Sequence, residues 1–309
     1  MKALLPRISV RSARTDMTIA DIARELYAER PTKTLFHYTS IGGLLGIVPS
    51  GDLYASDVHY FSDAAEMRRT VSLMRNAVAH AADCDAFTTS LRKLFLDWLN
   101  QRLTEMGHAV FAGSFTANGN LLSQWRSYCD PGKGISLGFA ADKLVQSATD
   151  QSWKIGKCIY DENQQNKLAK SILDTVESLA KQEFAPPGRL QPNSAQHFFV
   201  RIEDDLLRIA ALLKYPAFSE EQEWRVISPV TADYVGAPIE YREGQSMLMP
   251  YMRFRLPSAE DRSVDLEHVW VGPTPHVANS LLAVNNFLTK NRAAPRFGVG
   301  YCGIPYRSW

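Results

Sequence analysis

Apolar residues recur at helical spacing in several stretches and alternate with polar ones in others. Residues 19–29 place Ile19, Ile22, Ala23 and Leu26 on one face, with Thr18 positioned to cap the helix they predict. Pro31 resets the chain, and Thr34–Tyr38 reads as a short strand. Ser40 opens a helix to Val48, and Pro49-Ser50-Gly51-Asp52 turns the chain into a second strand at 53–56. Longer helices are predicted at 64–82 (Met67, Val71, Met74, Val78) and 86–106 (Phe87, Leu91, Leu94, Trp98, Leu103, Met106). A strand at 109–116, a helical turn at 120–128, a turn at Asp130-Pro131-Gly132 and a strand at 134–140 follow. Another strand is expected at 152–160, then a helix at 163–184 carrying Leu168, Ile172, Val176 and Leu179. A loop at 186–193 leads to one apolar helix at 197–214. Strands at 223–228 and near 250–255, 264–271 and 297–302, with a helix at 276–290, complete the chain.

Helices and strands are mixed without regular βαβ alternation, which predicts an α+β fold. Residues 1–30 read as an N-terminal arm and helix, and 31–309 as one domain with a helical insertion at about 161–215. The 309 residues are 45% apolar, enough for a sizeable core. Basic and acidic residues number 34 and 33, so no electrostatic footprint for nucleic acid or an anionic membrane is visible. The four cysteines are scattered, without a CxxC pair, and no two of the seven histidines are spaced i, i+4. No metal is therefore expected. The N-terminal apolar run is cut by Pro6, and no run of 18 apolar residues occurs, so a cytoplasmic protein without membrane contact is expected. Oligomeric state is not readable. The glycine-rich and nucleophile motifs GxGxxG, GxxxxGK[ST] and GxSxG are absent, as is HExxH.

Five polar and aromatic clusters lie at predicted strand ends. In Phe36-His37-Tyr38-Thr39-Ser40, a histidine can hydrogen-bond a ribose hydroxyl, or be a satisfied buried ring beside a serine cap. In His59-Tyr60-Phe61-Ser62-Asp63, an aromatic face can stack on a flat heterocycle, or fill the core. Ser114 and Thr116 share a strand face. Gln124-Trp125-Arg126-Ser127-Tyr128 sets two aromatics and a cation beside a turn, suited to ligand contact or to packing. In Glu221-Gln222-Glu223-Trp224-Arg225, strand alternation puts Glu221, Glu223 and Arg225 on one face. Two adjacent carboxylates repel, and one pKa rises. Such a group can hold a ribose hydroxyl and stabilise an oxocarbenium-like carbon, while a salt bridge to Arg225 is the structural alternative.

LFHYTS, GLLGIVPSGDLYASD, YFSDAAE, SFT, LLSQWRSYCDPGKGISLGF, EEQEWRVI and IPYR together resemble, over residues 34–307, a bacterial family catalogued as a domain of unknown function, number 2971. LFHYTSIGGLLGIVPSG, with Tyr38 in place of a glycine, is also distantly similar to the first strand–helix unit of ADP-ribosyltransferases, and Glu221-Gln222-Glu223 resembles their Glu-x-Glu pair. That resemblance implies two split antiparallel sheets ringed by helices, with NAD as substrate. It implies Glu223 as catalytic residue and Glu221 as its acceptor-side helper. Taken with the cluster readings above, it leads to an expected cofactor pocket of His37, Tyr38, Thr39, Tyr60, Ser114, Trp125, Arg126 and Tyr128, with Tyr60, aided by Trp125, stacking on nicotinamide. The acceptor of the ADP-ribosyl group stays open between protein, nucleic acid, small molecule and water. Such an NAD-consuming enzyme suits a bacterial toxin or phage-defence effector. Two alternatives remain: a metal-dependent nuclease or hydrolase using Asp63, Glu221 and Glu223, and a non-catalytic nucleotide-binding module.

Overall fold

The computed structural model describes residues 17–61, 65–104, 108–129, 132–184, 190–244, 246–260 and 263–304. The arm at 1–16, Ser62 and Asp63, Asp130 and Pro131 of the expected turn, residues 186–189 of the expected loop, and the last three residues of IPYR lie outside the described residues.

Helix α1 (Ile19–Leu26) starts where expected, because Thr18 and Asp21 cap each other reciprocally. Strand β1 (Leu35–Ser40) runs into α2 (Ile41–Ser50), whose first turn is capped by the Ser40 hydroxyl on Gly43 N–H, 3.2 Å away. Gly51, left-handed at φ 72°, ends α2 and starts β2 (Asp52–Asp57). A 3-10 turn at Val58–Tyr60 follows, then α3 (Ala65–Ala79) and α4 (Ala86–Thr104). Next come β3 (Phe111–Thr116), α5 (Leu122–Tyr128), β4 (Gly134–Phe139), α6 (Ala141–Asp150) and β5 (Lys154–Lys157). Helices α7 (Glu162–Glu183), α8 (Pro192–Val200) and α9 (Glu203–Ala210) lead to β6 (Glu223–Ile227). The chain continues through β7 (Glu240–Glu243), β8 (Leu248–Arg255), β9 (His268–Val271), α10 (Val277–Lys290) and β10 (Val299–Tyr301).

The α+β expectation holds, but the two separate sheets are replaced by one ten-stranded sheet of order β10-β9-β4-β1-β3-β2-β8-β7, with β6 on β3 and β5 on β6. All its strand pairs are antiparallel except β9–β10. The physical reason is that β3 is shared. One edge of β3 pairs with β6 from Ala112↔Ile227 to Thr116↔Glu223. Its other edge is divided: Phe111 and Ala112 pair with β2, and Thr116 pairs with β1. The sheet therefore forks, and the edge of β3 between the two prongs carries no strand.

Strand alternation sorts the two faces. Phe111, Phe115, Trp224 and Val226 join an apolar cluster with α2, α6 and α10, while Ala112 and Ile227 join a second cluster with α1, α3, α4 and α7–α9. The expected insertion at 161–215 is thus continuous with the earlier helices. Helix α1, the helix of the expected N-terminal arm and helix at 1–30, is tied to it by a bond from Tyr27 Oη to the Arg208 carbonyl.

The helix expected at 197–214 is two helices. Arg201 and Ile202 donate to the carbonyls three residues back and tighten the chain, and after α9 Leu213 bridges to Ile159 instead of continuing the helix. Helix α6 and strand β7 had no individual counterpart in the sequence reading.

The turn that aims α2 and β2 depends on Gly51. A Cβ there would sit 2.9 Å from the Ser263 carbonyl oxygen, on a backbone that L-residues avoid. Gly51→Ala is expected to cost about 1–2 kcal/mol from the left-handed conformation alone. Urea unfolding checks this, and an unchanged midpoint contradicts it.

Candidate functional site

The prongs of the fork enclose a cleft of about 970 Å3, lined by β1, the first turns of α2, β2, the uncovered stretch of β3, α5, β6 and the β7–β8 hairpin. A smaller pocket of about 210 Å3 lies beside α3 and α7, but its cation, Arg69, is already held by Gln165, Glu162 and the Tyr215 ring. Within the large cleft, Gly43 lets α2 begin tightly against β1, because a Cβ there would overlap Thr39 Oγ1.

His37 fills the gap that the fork leaves on β3. Its Nδ1 lies 2.9 Å from the Ser114 carbonyl oxygen. A carbonyl only accepts, so Nδ1 carries the proton and Nε2 is an acceptor. Burial pushes the ring's pKa below the ordinary histidine value, which keeps the imidazole neutral at neutral pH.

On the other side of β3 stands a buried charge cluster. Glu223 lies opposite Thr116 and Arg225 opposite Ser114. Arg225 Nε donates to Glu223 Oε1 at 2.8 Å and Arg225 Nη2 to Oε2 at 3.1 Å, while Lys214 Nζ reaches Oε2 at 2.7 Å. Lys214 also pairs with Glu221. Arg225 is 1% exposed and Glu223 4%. Burial pushes the Glu223 carboxyl up, but Arg225 and Lys214 outweigh it and hold the pKa at about 2. Burial lowers the Lys214 pKa, yet Glu223 reverses this and leaves it above the ordinary lysine value.

The sequence reading put Glu221 on the same strand face as Glu223. The strand in fact starts at Glu223. Glu221 ends a 3-10 turn (Pro216–Glu221), and Gln222 is left-handed at φ 45° and ψ 47°, so alternation does not extend back to Glu221. Thr116 Oγ1 donates to the Glu221 carbonyl at 2.6 Å, and Glu223 N–H donates to Tyr160 Oη at 3.0 Å, fixing this kink. Burial raises the Glu221 pKa despite the Lys214 pairing. Tyr128 faces the same cluster, and its phenol is pushed up to about 12 by burial, with Glu221 adding to the shift.

Of the other residues selected from sequence, Thr39, Tyr60 and Ser114 line the same cleft as His37. Tyr38 borders it, but its hydroxyl is taken up by the chain: it donates to the Asn118 carbonyl and accepts from Leu121 N–H. Trp125 is 3% exposed and is not among the cleft residues. It packs edge-on against Tyr38, with centroids 4.6 Å apart, and its Nε1 donates to Asn120. A role for Trp125 in stacking on a ligand gives way to this packing. Arg126 is exposed on α5, also outside the cleft. Sequence reasoning missed Lys214, which it placed in a helix, and Arg242, which falls in a strand it did not foresee. The described residues include no group of three or more His, Cys, Asp and Glu arranged to hold a metal ion. Among those residues, no helix is long and apolar enough to cross a membrane.

Two stability predictions follow from the charge cluster. Removing one partner of a buried ion pair costs about 3–5 kcal/mol, so Arg225→Met should lower the unfolding free energy extrapolated from urea titration by an amount in that range, and a near-neutral change would show that Arg225 is not compensated as described. A carboxyl held below its ordinary value of 4.5 stabilises the fold above that pH, and the contribution is lost as pH falls through about 2. The stability gap between the parent protein and Glu223→Gln should therefore narrow from pH 4.5 downward; a gap independent of pH would contradict the assignment.

No curated protein and no solved structure matches this chain. Residues 124–226, from α5 through the Glu223 strand, match the model of a family described as a protein of unknown function (DUF2971).

Proposed function

We propose that the cleft binds NAD and breaks the bond between nicotinamide and ribose, passing the ADP-ribosyl group to water or to another acceptor. The observation that carries this reading is the fork itself. It brings a neutral histidine acceptor to one lip of β3 and a carboxylate pair to the other, around an opening large enough for a nucleotide. His37 Nε2 accepts from a ribose hydroxyl, and Tyr60 offers its ring to the nicotinamide. Glu223, ionised at neutral pH, supplies a fixed negative charge. As nicotinamide leaves with the bonding electrons, that charge favours the oxocarbenium-like ribose. Glu221, whose pKa is raised, takes the proton from the incoming acceptor hydroxyl.

One observation favours a second reading, in which the cleft binds a nucleotide without reacting. Arg225 and Lys214 occupy three of the roughly four lone-pair positions of the Glu223 carboxylate, leaving little of it for a ligand.

Chromatography for nicotinamide after incubation with NAD separates the two. The catalytic reading expects release, reduced about 10²–10³-fold in Glu221→Gln and Glu223→Gln variants that still melt cooperatively. Thermal stabilisation by NAD without release supports the binding reading. Neither release nor stabilisation overturns both.

A further inference from the structure

We infer that Arg242, on the β7–β8 hairpin, forms an anion subsite that takes the diphosphate of a nucleotide. This deepens the NAD reading and rests on it for the ligand's identity.

Among the described residues, three cations line the cleft: Lys214, Arg225 and Arg242. The first two are committed to Glu221 and Glu223. The neighbouring Arg253 and Arg255 are held by Glu240 and Asp52. Arg242 differs. Its guanidinium donates from Nη2 to Ser56 Oγ at 3.1 Å, and among the described residues it has no carboxylate partner. A guanidinium carries five N–H donors in a fork that matches phosphate oxygens, so a single neutral hydroxyl leaves most of that capacity unused.

The registers set its distance from the carboxylates. Arg242 pairs with Met249 on β8, and the next residue of β8 on the same face, Tyr251, pairs with Ser56 of β2. Ser56 lies opposite Ala112, and Glu223 lies opposite Thr116. Ala112 and Thr116 are four residues apart on β3, or about 13 Å at the usual rise of an extended strand. The cleft therefore differs along its length, with a balanced charge cluster at one end of β3 and, among the described residues, a cation without a carboxylate partner at the other.

Lys214 and Arg225 balance the two carboxylates, so among the described residues the unbalanced positive charge of the cleft lies with Arg242, and a diphosphate is held at that end. The hairpin supplies further contacts beside Arg242. Ser246 adds a hydroxyl, and Met247 and Met249 add soft apolar surface of a kind that packs against a base.

Calorimetric titration of the full chain with ADP, and separately with adenosine, tests the subsite in the parent protein, Arg242→Gln and Arg242→Lys. The expected result is ADP binding weakened roughly 10- to 100-fold in Arg242→Gln, with Arg242→Lys intermediate and adenosine affinity unchanged. Arg242 is exposed, so an unchanged melting temperature verifies that each variant is folded. Equal ADP affinity in the parent and Arg242→Gln, or no ADP binding by the parent, overturns the subsite. Nicotinamide release is a separate readout. Release combined with Arg242-independent ADP binding removes the subsite alone. Arg242-dependent ADP binding without release supports the subsite and removes the catalytic reading alone.

Discussion

A fully buried arginine constrains everything around it. Among the described residues Arg225 is the largest side chain wholly enclosed by this fold, and a cation withdrawn from water costs several kcal/mol unless its donors are matched. The match comes from three directions. Glu223, two residues earlier on the same strand face, takes Nε and Nη2. The Ala211 carbonyl at the end of α9 takes Nη1 at 2.7 Å, and the Phe61 ring lies 5.0 Å from the guanidinium carbon. The arginine can be satisfied only when the end of α9, the turn after β2 and strand β6 are all in place. Its contribution is thus less net stability than specificity, since an apolar pair of similar volume often serves stability as well.

That requirement also explains the cleft. To sit beneath α9 and carry Arg225, β6 must run along one whole edge of β3. The other edge is left to two strands that approach from different directions, β2 at its start and β1 at its end. A bare strand edge inside a protein is costly, because its backbone groups need partners. His37 supplies one by donating to the Ser114 carbonyl. The opening between the prongs persists because a side chain, and not another strand, completes the ladder there.

Periodicity and capping rules captured the elements that depend on local sequence. Thr18, Ser40 and Gly51 mark helix ends by their own chemistry, and the structure uses each as a cap. The misreadings arise where distant partners decide. Residues 197–214 carry an unbroken apolar pattern, yet Leu213 leaves the helix to bridge Ile159, and this delivers Lys214 to the carboxylates. Glu221 was placed by strand alternation, which a left-handed Gln222 cancels. Trp125 has the composition of a ligand contact, but Tyr38 and Asn120 already engage it. The sharing of β3 among three strands has no local signature, so one forked sheet and two small sheets read alike from sequence. His37, Tyr60, Ser114, Glu221 and Glu223, singled out as polar or aromatic residues near the ends of short apolar strands, all line the cleft.

The kink at Gln222 has a chemical consequence. Had β6 begun at Glu221, both carboxylates would face the same arginine from one strand face. Instead Glu223 lies in register with Arg225, shares Lys214, and remains charged down to about pH 2. Glu221 is out of register, with Lys214 as its ion-pair partner, and burial outweighs that pairing to raise its pKa. Two carboxylates two residues apart thereby separate into one permanent anion and one group better able to exchange a proton. Opposite displacement of two pKa values is the arrangement expected where one group stabilises charge and the other moves protons. The left-handed Gln222 contributes to that division, because it decides which carboxylate the strand aligns with Arg225.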